Sequence, residues 1–374
     1  MKLHLVNDEK IINRTIDMFE QVFPGDNLWV VDTKKSEFKW VERREGVIST
    51  REFYENYKDG SFDAIYIHYL NRHKMNLINK IDTSRSTVYW IIWGADLYNK
   101  LLAPKGFRLF ADGTWGAAKK IGFFNRWVKR RKAQRNVDFI LNKVDCIVTD
   151  TTDNDYDYLV KYYPQLSGKR WLDFFYYPID VILGKELMDA STNGNGIMVG
   201  NSASTTNNHQ YVFDILSRFD LGSRKVTVPL SYNGNPEYIK EVCATGHKLL
   251  GDNFNPLMEF MPLDKYNLLQ SSTGYAFFGN LRQEAIGNVL IVVYLGAKVF
   301  LCRSNPVYEW ACSKGLKVFD IESLTQEELD TPLDEESRRK NRDILLKLYS
   351  RERLLSLIAG LAPIKNMDDE GADS

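Results

Sequence analysis

Ile197-Met198-Val199-Gly200-Asn201-Ser202-Ala203-Ser204-Thr205-Thr206-Asn207-Asn208-His209 carries an apolar strand straight into a run of small and hydroxylated residues, and a helical pattern follows. Small residues at the end of a buried strand let backbone N–H groups come close to a phosphate or sugar. The start of the next helix adds a field that favours negative charge. One such turn is common in α/β proteins, where small residues also serve simply to reverse the chain. A second element of the same kind, Arg282-Gln283-Glu284-Ala285-Ile286-Gly287-Asn288, follows the apolar run 275–278 and opens the apolar helix 289–295. Two phosphate-friendly turns in one half of the chain indicate a nucleotide-sugar site.

Outward from these turns, short β-rich runs alternate with helical patterns along the whole chain, which predicts an α/β architecture with mainly parallel sheets. In the first half the expected strands are 2–6, 28–32, 64–68, 88–93 and 146–149; in the second they are 197–199, 225–229, 275–278, 298–302 and 317–319. Runs such as Tyr89-Trp90-Ile91-Ile92-Trp93 suit central strands covered on both faces. The Gly/Asn/Ser stretch 189–196 reads as a linker, dividing an N-terminal domain (1–185) from a C-terminal one (196–335). A leucine-rich helix is expected within 336–366, packing back toward the N-terminal domain, and the acidic stretch 367–374 reads as a disordered tail. Two such domains imply a cleft between them, with ligands at the carboxyl ends of the strands.

Composition narrows the function class. With 374 residues the chain suits two domains, and 44% apolar with 26% charged residues is ordinary for a globular protein. Lys and Arg together number 49 and so do Asp and Glu, so the domain-wide basic excess of a nucleic-acid binder is missing. Cys146, Cys243, Cys302 and Cys312 are scattered without a C-x-x-C pair, so neither a zinc site nor a disulfide framework is expected. A strand pattern begins at Met1-Lys2-Leu3, and no apolar run approaches the roughly 20 residues of a membrane-spanning helix. The expected location is cytoplasmic.

Several segments, in order along most of the chain, carry a resemblance: Asn13-Arg14-Thr15, Ile92-Trp93-Gly94-Ala95-Asp96-Leu97-Tyr98, Val199-Gly200-Asn201-Ser202, Asn207-x-His209, Val228-Pro229 followed by Tyr232, and Arg282-Gln283-x-x-Ile286-Gly287. Through them the chain resembles the bacterial TDP-N-acetylfucosamine:lipid II N-acetylfucosaminyltransferases, the Fuc4NAc transferases of glycosyltransferase family 56. The resemblance implies a GT-B fold, two Rossmann-like domains facing each other across a cleft, with the acceptor side N-terminal and the donor side C-terminal. It also implies inverting, metal-independent transfer from a dTDP-amino-sugar to a polyprenyl-diphosphate-linked saccharide, with no cofactor beyond the donor substrate. Gly200, Asn201, Ser202, Asn207, His209, Pro229, Tyr232, Arg282, Gln283, Ile286, Gly287 and Asn288 are the expected donor-binding residues. The alternative for the second turn is that Gln283 and Glu284 cap a helix and Gly287 is a packing glycine.

Inverting transfer needs a base for the acceptor hydroxyl and a stabiliser for the departing diphosphate. Asp96, following the strand 88–93 through Gly94, is the first candidate base; its alternative role is an N-cap. Asp8, after the first strand, and His68, ending the strand 64–68, are the others. Asp153-Asn154-Asp155 has DxD spacing but reads as a helix start, so helix N-termini, loop amides and Arg282 are the expected diphosphate partners.

One local excess of charge stands out in this neutral chain. Lys105, Arg108, Lys119, Lys120, Arg126, Lys129, Arg130, Arg131, Lys132 and Arg135 are interleaved with Phe107, Phe110, Trp115, Phe123, Phe124 and Trp127, against only Asp112. Such a stretch is expected to contact an anionic membrane surface, placing the protein peripherally on the inner face of the membrane; a solvated helix with buried aromatics is the alternative. Competing readings of the whole are a fucosyltransferase-like enzyme using another deoxysugar nucleotide, a GT-B sugar-nucleotide epimerase, and an inactive membrane-bound assembly factor.

Overall fold

The computed structural model describes residues 1–35, 37–114, 123–192 and 194–364, whose strands form two separate, wholly parallel sheets. The first contains β1 (Lys2–Val6), β2 (Asn27–Val31), β3 (Val47–Ser49), β4 (Ala64–His68), β5 (Thr87–Ile91), β6 (Cys146–Asp150) and β7 (Arg170–Phe174), in the order β3-β2-β1-β4-β5-β6-β7. The second contains β8 (Gly196–Val199), β9 (Val226–Pro229), β10 (Phe254–Leu257), β11 (Thr273–Phe278), β12 (Lys298–Leu301) and β13 (Phe319–Asp320), in the order β10-β9-β8-β11-β12-β13. In each sheet the order reverses direction beside the first strand, between β1 and β4 and between β8 and β11. Connections on the two sides of that point run away from each other and leave a crevice at the carboxyl ends.

Sequence dictates the layering. Every residue of β4 and β5 is buried, as a parallel strand covered on both faces requires. The helix Ile11–Val22 buries Ile12, Thr15, Ile16, Met18 and Phe19, a stripe at helical spacing turned to the first sheet. Within that core His4 stacks between Trp29 at 3.7 Å and Tyr66 at 4.5 Å. In the second sheet Phe277 stacks on Phe300 at 4.5 Å.

The chain divides into two units. The first comprises 1–105, 126–178 and the chain from Arg351; the second comprises the described residues of 106–125 together with 179–350. The passage at Pro178–Ile179 lies upstream of the stretch expected to be a linker, and that stretch is tied down within the second unit. Thr192 N–H donates to Leu295 O and its hydroxyl to Thr273 O, both at 2.7 Å. Likewise Asn267 Nδ2 donates to the carbonyls of Ile182 (2.8 Å) and Leu183 (3.0 Å), fixing the helix Ile179–Leu183 in that unit.

Further differences have simple causes. Strands β3, β7 and β10 escaped the sequence pattern because they are short or outermost: β3, β7 and β10 are edge strands, and β10 contains Pro256. The single C-terminal helix expected is two helices, Glu335–Leu348 and Arg351–Ala359, interrupted where Tyr349 leaves helical geometry. The second of them belongs to the first unit, where Tyr66 Oη donates to Leu361 O at 2.5 Å and Tyr89 Oη to Ala362 O at 2.6 Å. The expected tail 367–374, and Trp115, Lys119 and Lys120 of the basic stretch, lie outside the described residues.

Candidate functional site

In the second unit, β8 and β11 end side by side, with Val199 paired to Phe277 and Gly200 N–H bonded to Phe277 O at 2.9 Å. The chain turns at Gly200 with φ +68°, a conformation that disfavours any side chain. Asn207 holds the turn from inside: its Nδ2 donates to Ser202 O and Oγ (both 3.2 Å), and its Oδ1 accepts from Asn201 N–H at 3.3 Å. A Cβ on Gly279, just past β11, would stand 2.7 Å from Asn207 O, so the two loops touch through backbone.

Side chains then bind the loops together. Glu284 accepts from Thr206 Oγ1 (2.5 Å) and Asn280 Nδ2 (2.9 Å), and pairs with Arg282 Nη2 at 3.1 Å. Asn280 Nδ2 also reaches Thr206 O, and Asn208 Nδ2 reaches Gly279 O at 2.8 Å. Both loops lead into helices, His209–Leu216 and Ile286–Tyr294, whose N-cap residues Asn208 and Ala285 are left-handed and supply no side-chain cap. In the second helix the N–H groups of Ile286, Gly287 and Asn288 are therefore left for a ligand or water, whereas in the first Tyr211 N–H already meets Asn208 O at 3.0 Å. Neither Gln283 nor Glu284 caps the helix, which corrects that alternative; Ile286 and Gly287 are its first two residues.

The other expected donor residues fall into two groups. Tyr232 O accepts from Ala203 N–H at 2.8 Å, so the loop after β9, which ends in Pro229, joins the cluster, and the Tyr232 ring is exposed. His209 is fully buried; Nδ1 meets Tyr238 Oη at 2.8 Å, while Nε2 has no partner and lies close to Gly200. Burial pushes its pKa down to about 3, so it stands as a neutral imidazole. Asn207 and Ser202 spend their polar groups on the loop itself, and Asn288 Oδ1 accepts from Gln270 Nε2 at 3.0 Å. Arg282 is buried with Nε unpartnered.

In the first unit the three candidate bases are all engaged. Asp8 accepts three backbone N–H groups, from Lys39 (2.6 Å), Trp40 (2.8 Å) and Val41 (2.9 Å), and so anchors the loop that follows β2. Asp96 is buried and accepts from Leu70 N–H and Trp90 Nε1–H at 2.8 Å and from Trp93 N–H at 2.9 Å. It stitches the loops after β4 and β5; Gly94, not Asp96, holds the N-cap position. In both residues the carboxylate oxygens are spent on N–H groups of the surrounding loops and strand.

His68 belongs to a buried chain of hydrogen bonds whose direction can be read. Asn27 donates both amide protons, to Glu20 Oε1 and Phe23 O, so its Oδ1 must accept from His4 Nε2–H at 3.2 Å. His4 Nδ1 then accepts from His68 Nε2–H at 3.2 Å, and His68 Nδ1 accepts from Tyr176 Oη–H at 2.9 Å. Trp93 Nε1–H closes the chain by donating to Tyr176 Oη. Burial drives His4 down to about 3 and His68 well below the ordinary histidine value, which keeps both neutral in these fixed roles. His68 is thus part of a hydrogen-bonded spine of the core.

Residues outside the expected set occupy the carboxyl edge of the first sheet. Lys74 is buried, bonds Asn7 Oδ1 at 2.8 Å and the carbonyl of His68, and is pushed down to about 7 by burial. Asp150, the last residue of β6, is partly exposed; Oδ1 accepts from Thr151 Oγ1 at 2.7 Å. Asp155, in the DxD-spaced segment, is buried and receives the Tyr98 hydroxyl. Among the described residues no group of three His, Cys, Asp or Glu side chains is placed to hold a metal ion. The signal that could have found Asp150 is the one that singled out His68, a polar residue closing an apolar strand.

The helix Phe123–Lys143 presents the basic stretch. Ala133, Val137, Phe139 and Ile140 are buried, whereas its first turns are exposed nearly all round, with Phe124 71% and Trp127 45% accessible. Arg131 sits over the Trp127 ring at 4.4 Å. No helix among the described residues is long and apolar enough to cross a membrane.

Known proteins share this architecture. The family profile described as 4-alpha-L-fucosyltransferase glycosyl transferase group 56 matches residues 73–340, well over half of the chain. Among solved structures, trehalose 6-phosphate synthase from Burkholderia multivorans is similar at 10% identity with a TM-score of 0.61, covering 99% of this chain and 97% of that one. Anabaena HepE in complex with UDP and glucose is similar at 11% identity with a TM-score of 0.62, covering 96% and 98%. Sucrose-phosphate synthase from Thermosynechococcus elongatus is similar at 10% identity with a TM-score of 0.62, covering 100% and 99%. At such identities the likeness speaks to the fold, which is GT-B.

Proposed function

This chain belongs to the 4-alpha-L-fucosyltransferase family, glycosyl transferase group 56, and from that premise we propose that it moves a 4-acetamido-4,6-dideoxyhexose from a dTDP-sugar to a polyprenyl-diphosphate-linked saccharide. It is a GT-B hexosyltransferase; the donor, the acceptor and the membrane are the proposal. The observation that carries it is the reversal point between β8 and β11, where two loops are bonded into one cluster and open two helices without side-chain caps. Main-chain N–H groups at a helix start suit a diphosphate, which needs donors and a positive field. Arg282, beside them, adds a cation to stabilise the leaving group without a metal ion or other cofactor. The HepE structure holds UDP and glucose, which supports a nucleotide-sugar donor for this fold.

The exposed basic turns of the helix Phe123–Lys143 support an anionic membrane surface as partner, where a lipid-linked acceptor resides. In this reading the protein is peripheral on the inner face of the membrane. The family description favours a second reading, in which a fucose nucleotide is the donor.

Purified protein incubated with anionic vesicles carrying a polyprenyl-diphosphate disaccharide decides between them. Mass spectrometry should show one added 4-acetamido-4,6-dideoxyhexose with the dTDP donor, with release of dTDP. Turnover with GDP-fucose alone would favour the second reading, and no transfer from any nucleotide sugar would defeat both.

A further inference from the structure

The three residues expected to act as base are consumed by the fold, yet Asp150, at the carboxyl edge of the first sheet, has an oxygen to spare. Asp150 ends β6, and while Oδ1 accepts from Thr151 Oγ1, Oδ2 makes no hydrogen bond among the described residues and is not sealed in the interior. Its neighbours are held in place. Thr151 is left-handed at φ +68°, rare for a β-branched residue, with its N–H on Phe174 O at 2.9 Å, and Thr152 N–H returns to Asp150 O at 2.7 Å.

We infer that Asp150 is the general base that takes the proton from the acceptor hydroxyl. This rests on the transferase reading above. In the step, the acceptor O–H proton passes to Asp150 Oδ2 and the freed oxygen pair forms the new bond to the anomeric carbon. The bond from that carbon to the diphosphate oxygen breaks, and its electron pair leaves on the nucleoside diphosphate. The proton is afterwards released to water, so the sum is glycoside, nucleoside diphosphate and one proton.

The surroundings suit the task. Burial pushes Asp150 up to about 7, helped by the negative charges of Asp173 on β7 and Asp96 after β5 and opposed by the Thr151 hydroxyl. Asp155 faces it from the helix Asp155–Tyr162, the phenols of Tyr176 and Tyr177 lie within reach of its charge, and the Arg14 charge also reaches Tyr177. A base works best when its pKa lies near the working pH.

The test is steady-state transfer by the full-length protein with Asp150→Asn and Asp150→Glu. Asp150→Asn is expected to lower kcat by about 10²–10⁴-fold with dTDP affinity unchanged. The wild-type profile should fall as pH drops below about 7, and Asp150→Glu should restore part of kcat with that limb displaced. A kcat for Asp150→Asn within tenfold of wild type, or an acid limb left where it was, overturns the assignment. Should Asp150→Asn fail to fold, Asp150→Glu decides alone, since a wild-type kcat and pH profile in that variant overturns it. No transfer by wild-type protein from any nucleotide sugar defeats the transferase reading and takes the assignment with it, whereas intact transfer in the variants defeats the assignment only.

Discussion

Gly200 and Asn207 are placed so that a Cβ on the glycine would stand 2.8 Å from Asn207 Oδ1, the atom that holds the Asn201 amide. His209 Nε2 would be only 3.0 Å away, so the backbone at Gly200 has no room to change. Gly200→Ala also places a side chain at φ +68°, a strain of about 1–2 kcal/mol. The expected outcome is a lower melting temperature and dTDP affinity weakened at least about tenfold, read by calorimetric titration. Unchanged affinity would mean that this turn does not shape the donor site.

Tyr176→Phe removes the hydroxyl that links Trp93 to His68. A partly buried indole N–H and a buried imidazole nitrogen then lose their partner, at a cost of about 1–3 kcal/mol. Urea unfolding should show that loss while dTDP titration stays as in wild type. Unaltered stability would argue that the histidine chain is not a structural spine.

Asp155 is pushed up to about 8, chiefly by burial. A carboxyl raised in the folded state stabilises the protein in its protonated form, fully below the unfolded value near 4 and no longer once pH passes about 8. Wild type should therefore lose stability relative to Asp155→Asn as pH rises from about 4 to about 8, a difference that cancels all groups common to both proteins. A difference that stays flat, or grows in the other direction, contradicts the burial of an ionisable group there.

Membrane contact rests on the exposed turns at the start of the helix Phe123–Lys143. Each basic residue near an anionic surface contributes about 1 kcal/mol, so Lys129→Gln with Lys132→Gln should weaken binding to phosphatidylglycerol vesicles about 30-fold. Phe124→Ser with Trp127→Ser should weaken it further, and high salt should release the protein. Equal flotation of wild type and variants would remove the membrane from the account.

The two sheets were legible because central parallel strands are unbroken apolar runs: β1 and β4 match their expected bounds, and β5 and β8 differ only at their ends. Edge strands such as β7, Arg170-Trp171-Leu172-Asp173-Phe174, are half exposed and do not read as apolar runs. The turns after β8 and β11 were visible from Gly200 and Gly287, because glycine marks where backbone must turn or approach closely. What joins them was not: Thr206 meets Glu284, 78 positions further on, and Asn280 only once the chain between has folded. The surroundings of the expected bases were hidden for the opposite reason. Asp8, Asp96 and His68 sit where a base belongs, but whether a carboxylate faces solvent or binds backbone N–H groups depends on loops whose course no local pattern reveals.

The most direct measurement is hydrogen–deuterium exchange of the intact protein with and without dTDP, followed by peptide mass. Slowed exchange is expected only in peptides spanning 200–209 and 280–289, where the two helices begin, with β1 and β2 unaffected. Protection elsewhere at saturating dTDP, or none at all while other nucleotides also fail to protect, would contradict it.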